Sequence, residues 1–98
     1  MGKRKVTILE PAAETVADVA LFIESKGLPQ TAKKFVDEAF AFFEKLADER
    51  IEHKPCKYNN VWKYLDYRCV TYKKYVVAYL SQPGEIIICD FVAAKLLK

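Results

Sequence analysis

The chain has 98 residues, 52% of them hydrophobic and 30% charged, with a formal net charge of +3. Those values describe one globular domain with a core of modest size and exclude a disordered chain. No apolar run approaches the ~20 residues that cross a bilayer, so the sequence reads as a cytosolic protein.

The start "MGKRKVTILEP" is basic, but the apolar stretch behind it is too short for a signal peptide. Gly2 is followed at position 6 by Val6, where N-myristoylation wants Ser or Thr. Three cysteines, Cys56, Cys69 and Cys89, form an odd set without a CxxC pair. The expectation is therefore reduced thiols, with neither a disulfide nor a metal site. Charge is uneven. Residues 1–50 carry eight Lys/Arg against nine Asp/Glu, and residues 51–98 carry eight against four. A basic half of this kind suits a polyanion or an acidic protein.

In chain order, "KVTILE" is β-rich and predicts a first strand over residues 4–9. Pro11 then suits the start of a helix, with Glu10, Glu14 and Asp18 near its N-terminal end. Val16, Val19, Ala20 and Ile23 make one apolar stripe, and Gly27 ends the helix near residue 26. Pro29 opens a second helix, whose stripe is Ala32, Phe35, Val36, Ala39, Phe42, Phe43 and Leu46. Phe40 widens that apolar side, so the helix is expected to be covered on more than one flank. With Gly27–Leu28 between them, the helices predict an antiparallel hairpin.

"DERIEHKPCKYNN" is polar and reads as a loop, with His53 as a surface histidine. Four strands are then predicted: "VWKYL", "YRCVTYK", "KYVVAYLS" and "EIIICDFV". Asp66 turns between the first two, and Gln82–Pro83–Gly84 between the last two. "AAKLLK" reads as a last helical turn or a tail. The fold class is α+β, in the order β-α-α-β-β-β-β. An N-terminal strand and an antiparallel helical hairpin pack on one face of an antiparallel sheet.

Side chains alternate along strands. Val76, Ala78 and Leu80 are uniformly apolar and are assigned to the helix side. Tyr75 and Tyr79 are assigned to the open side, with Arg68, Tyr72, Lys73 and Lys74. Such a surface fits phosphates, stacked bases or a protein partner.

A short strand, a helical hairpin, the "YR" dipeptide opening a strand, "KYVVAY", a Gly-bearing turn and "EIIICDFV" together resemble the RelE/ParE toxin superfamily of type II toxin–antitoxin modules, the plasmid stabilisation proteins. The resemblance spans residues 5 to 92. "LEPAAETVADVALFIESKG" is similar to the family's first helix and "TAKKFVDEAFAFFEKLAD" to its second. The resemblance implies a growth-inhibiting toxin held inactive by an antitoxin peptide. RelE-like members cut mRNA on the ribosome, and ParE-like members poison DNA gyrase. Arg68 matches the "YR" arginine, and Lys63 lies where some nucleolytic members carry a basic group. After the last strand, nucleolytic members present Arg, His or Tyr; here "DFVAAKLLK" offers Lys95.

The expectation is thus a ParE-like toxin that binds its target, with Arg68, Tyr72, Lys73, Lys74, Tyr75 and Tyr79 as contacts, Phe40 toward the antitoxin, and no cofactor. The alternatives are a ribosome-dependent endoribonuclease drawing on Arg68, Lys63, Tyr72 and Lys95, and a non-toxic interaction domain of the same fold.

Overall fold

Pro11 and Pro29 both lie in the first turn of a helix, where a missing N–H costs nothing. In the computed structural model these helices are α1 (Glu10–Ser25) and α2 (Pro29–Lys45), preceded by strand β1 (Lys5–Ile8). The structure describes residues 3–48, 51 and 53–97. The Gly2 reading, loop positions 49, 50 and 52, and the final Lys98 lie outside the described residues. Gly27, at a φ of +81°, makes the reversal between the helices that residues with a Cβ resist. Helix α1 buries Ala12 and Val16, and α2 buries Ala32, Ala39 and Phe43.

The chain continues through α3 (Asn60–Tyr64), β2 (Arg68–Tyr72), β3 (Tyr75–Gln82), β4 (Glu85–Ala93) and a 3₁₀ turn at Ala94–Leu96. The sheet order is β1-β4-β3-β2. Strands β2, β3 and β4 form an antiparallel meander, whereas β1 runs parallel to β4. The α+β class and the helical hairpin on one sheet face match the sequence reading. Two details are corrected. The sheet is mixed, because the helical hairpin returns the chain in the direction of β1. "VWKYL" is a helix and not a strand: the Asn59 side chain accepts a hydrogen bond from the Trp62 N–H at 2.8 Å and caps it.

The register of β4 changes once. Ala78 pairs with Asp90 but Tyr79 pairs with Ile88, which leaves Cys89 as an extra residue. Ile88 and Phe91 are three apart and would point to opposite faces of a regular strand. The bulge restores their phase, and both are fully buried in the core between sheet and helices. Phe91 is its centre. Its ring lies edge-on to Phe43 at 5.7 Å and to Phe35 at 6.4 Å, and stacks on Tyr75 at 4.8 Å.

Arg4 ties the start of the chain to this core. Its guanidinium donates to Ser81 Oγ at 2.7 Å and to the carbonyls of Leu46 and Asp48, just past the end of α2. Those carbonyls sit at the negative pole of the helix, where a cation is favourable.

Phe91→Ala leaves a cavity at this ring junction. It is expected to cost about 3–5 kcal/mol in urea-monitored unfolding.

Candidate target and partner surfaces

The cross-strand pairs Arg68–Tyr79, Val70–Val77 and Tyr72–Tyr75 share one face of the sheet. That face meets the helices. Tyr79 is 1% exposed, Tyr75 packs on Phe35 and Phe91, and Tyr72 lies 4.6 Å from Phe42. The expected orientation of the strands is therefore reversed: Tyr79 is a core residue, Tyr72 and Tyr75 are partly buried against the core, and Val76 and Ala78 face the opposite, rear side. The cause is the size of the available cover. Helix α2 brings Phe35, Phe42 and Phe43, which bury large rings and gain from ring–ring geometry. Among the described residues, the rear side is covered by α3, the 54–58 segment and the C-terminal turn, whose small cluster of Cys56 and Trp62 fits Val76 and Ala78.

Burying Tyr79 requires a partner for its hydroxyl. His53 supplies it, sharing a 2.6 Å hydrogen bond through Nδ1 and meeting the ring edge-on at 5.8 Å. His53 is thus a half-buried structural group, which corrects its reading as a surface residue. Arg68 holds the same loop in place, donating from Nη1 to the His53 carbonyl at 3.2 Å. No periodicity in the sequence signals this contact, because residue 53 stands in a polar loop.

The remaining predicted groups scatter. Lys73 forms an exposed ion pair with Glu38 of α2 at 2.9 Å, which lowers the Glu38 pKa and raises that of Lys73. Lys74, Lys63 and Lys95 are exposed on the β2–β3 turn, α3 and the 3₁₀ turn. Trp62 of α3 and Ala94 of the 3₁₀ turn belong to the rear cluster, whereas Tyr72 packs on the helix side. The four catalytic candidates are therefore divided: Lys63 and Lys95 lie on rear-side elements, and Arg68 and Tyr72 are directed to the other face. Phe40 packs edge-on to Phe43 at 5.8 Å, against the core.

Two open surfaces emerge that the sequence did not single out. A groove of about 440 Å³ runs on the rear side, between the 54–58 segment and β2. Lys54, Lys57, Tyr58 and Thr71 line it. Beside it, Val61 and Tyr64 of α3 are 63% and 88% exposed. A second furrow of about 420 Å³ lies between the two long helices. Ala17, Ala20 and Ala32 keep it shallow and apolar, and Leu21 extends it. Leu21, Phe22 and Leu28 nearby are each at least half exposed. Among the described residues, no group of three or more His, Cys, Asp or Glu side chains could hold a metal ion. No helix among them is long and apolar enough to cross a membrane.

Cys56 and Cys69 are joined in a disulfide, with Cα atoms 4.9 Å apart, and only Cys89 is free. This overturns the expectation of three reduced thiols. The pairing depends on the 54–56 segment lying along β2, an approach that spacing does not encode.

Residues 6–93 match the model of a family described as the ParE toxin of type II toxin-antitoxin system, parDE. The chain belongs to the ParE toxin family. Among solved structures, it resembles a chain of the "Chromosomal ParDE TA system from P. aeruginosa", with a TM-score of 0.73 and 14% identity. That match covers 93% of this chain and 96% of the other, and at such identity it establishes the fold alone. No curated protein sequence matches this chain. The chain is thus a type II toxin of the ParE family, and the family context supports an antitoxin as its partner.

In this ParE-family toxin, burial lowers the His53 pKa from its ordinary value. The unfolded chain then binds a proton near pH 6.5 that the folded chain refuses until lower pH. Stability is present above pH 6.5 and is lost as the pH falls through the folded value. In His53→Ala, denaturation midpoints measured from pH 8 to 5 should show a shallower acid-side decline than in the unmodified toxin.

Proposed function

We propose that this toxin acts by binding a target protein of the DNA gyrase type, without acid–base chemistry of its own. The observation that carries this reading is the division of the catalytic candidates. Cleavage through a ribose 2′-hydroxyl needs a base, an acid and phosphate-neutralising cations around one point. Here Tyr79 is enclosed under the helices, the partly buried Tyr72 packs on Phe42 on that same side, Arg68 holds a loop, and Lys63 and Lys95 lie on the rear side. The groove with Lys54 and Lys57, beside the exposed Tyr64, supports a contact surface instead.

We also infer how the antitoxin engages. The alanine-lined furrow between α1 and α2 suits the apolar stripe of an amphipathic segment. The helical hairpin is itself acidic, so an acidic antitoxin segment would belong on the basic second half of the toxin. One extended peptide that wraps from the helical side toward the rear would meet both conditions. The apolar contact thus moves from Phe40, the residue expected from sequence, to Ala20, Leu21 and their neighbours.

Purified toxin should inhibit gyrase supercoiling, and the double charge reversal Lys54→Glu/Lys57→Glu should weaken inhibition by at least about tenfold, the effect of ~1.4 kcal/mol. Primer extension on cellular mRNA during arrest should show intact transcripts. Specific cleavage, abolished by Arg68→Ala, would overturn the binding reading in favour of the ribosome-dependent nuclease.

For the partner, Ala20→Arg should leave the toxin able to arrest growth while the co-expressed antitoxin no longer rescues or co-purifies. Undiminished rescue by the antitoxin would remove the furrow from its binding site.

A further inference from the structure

We propose that the Cys56–Cys69 disulfide is a thiol–disulfide exchange site, open to a dithiol reductant at Cys69, which controls the order of the rear cover. Three observations converge on it.

The first is access. Cys56 is 2% exposed, whereas Cys69 is only half-buried and lines the rear groove with Lys54 and Lys57. The side of the bond that faces the groove, and so an entering thiolate, is therefore that of Cys69. The two ammonium groups of the groove favour thiolate over thiol there, which assists the attacking sulfur.

The second is what the bond holds. It links two residues at a sequence separation of 13, and the loop between them contains α3, a helix of five residues. So short a helix has no independent stability. Among the described residues, its attachment is the Asn59 cap, the buried Trp62, and a small rear cluster with Cys56, Val76 and Ala78 buried and Tyr67, Cys69 and Val92 among those packed against it. The principal core is a separate cluster on the other side of the sheet.

The third is that the backbone keeps the sulfurs together without the bond. Cys56 N–H donates to the Tyr67 carbonyl at 2.8 Å, and Cys69 N–H donates to the Lys54 carbonyl at 3.3 Å. Reduction and reoxidation can proceed without parting the sheet.

A reductant thiolate attacks Cys69 Sγ, forming a mixed disulfide and expelling Cys56 as a thiolate, which takes a proton. The second thiol of the reductant then attacks its own sulfur in the mixed disulfide and releases Cys69. The toxin gains two electrons and two protons, and the dithiol becomes a disulfide. Disulfides inside reducing compartments are usually transient or redox-sensing, so a toxin acting on gyrase would meet such reductants. That last consequence rests on the proposed target; the exchange itself does not.

The sole tryptophan, Trp62, reports on the cover, and buried Cys89 serves as an internal control. Native full-length toxin would be titrated with dithiothreitol and the freed thiols trapped by alkylation. Cys56 and Cys69 should become reactive together while Cys89 stays protected. Trp62 emission should shift to the red. Hydrogen exchange across residues 57–66 should quicken by at least about tenfold, with α1 and α2 unchanged. Oxidised glutathione added to the reduced toxin should form its mixed disulfide first on Cys69. The double variant Cys56→Ser/Cys69→Ser should show the red-shifted emission at once and ignore dithiothreitol. A disulfide that resists reduction until Cys89 also reacts, or reduction that leaves emission and exchange unchanged, would overturn the proposal. Neither result bears on the gyrase assay, so the two readings fail separately.

Discussion

One extra residue in β4 decides how this protein is oriented. Without the bulge at Cys89, Ile88 and Phe91 would point to opposite faces, and the large rings of α2 would have nothing to close on. With it, Ile86, Ile88 and Phe91 form a continuous floor beneath the helical hairpin. Tyr75 and Tyr79 of the neighbouring strand are drawn to the same side, and the rear face is left to small residues and a thin cover. Which surfaces are open for binding follows from that choice. The aromatic strands form the interior, and the basic groove forms from loop and edge.

The parts of the fold readable in the sequence are those written locally. Two prolines, Gly27 and the apolar stripes mark both long helices to within about one residue of their ends. Pro83 and Gly84 mark the β3–β4 turn. The misreadings have physical causes of a different range. Alternation shows which side chains share a face but not which face receives the helices; that depends on ring volume on another element. "VWKYL" is rich in strand-forming residues, and the Asn59 cap outweighs that preference. The parallel β1–β4 pairing joins residues about 80 apart, and no local pattern reports it. The family signature was legible because it lies in the order of elements, whereas individual roles were not. Arg68 and Tyr79 fit the motif and prove to be braces for the His53 loop.

The two faces of the sheet differ in how deeply they are packed. The helix side is aromatic and continuous, with the Tyr79 phenol satisfied by His53. The rear side is shallow, cross-linked and basic. Separation of this kind lets rear-side residues change without disturbing the principal core, since the two clusters are distinct. Lys73 illustrates the boundary between them. It adopts the left-handed conformation at a φ of 55°, unusual for a residue with a Cβ, and from there its ammonium reaches Glu38 and lies 5.4 Å from the Tyr72 ring centroid.

The segment at Lys54–Cys56 also has a role at the sheet margin. It bridges Pro55 to Arg68 and occupies the outer backbone of β2 at its first residues. Proline there presents no N–H to a newcomer. At the opposite margin, β1 carries the exposed Lys5, with Lys3 just before it. Both rims of the sheet are thereby poor templates for zipping one molecule onto the next. The protein is thus shielded by its own loop and lysines from polymerising into inert fibrils.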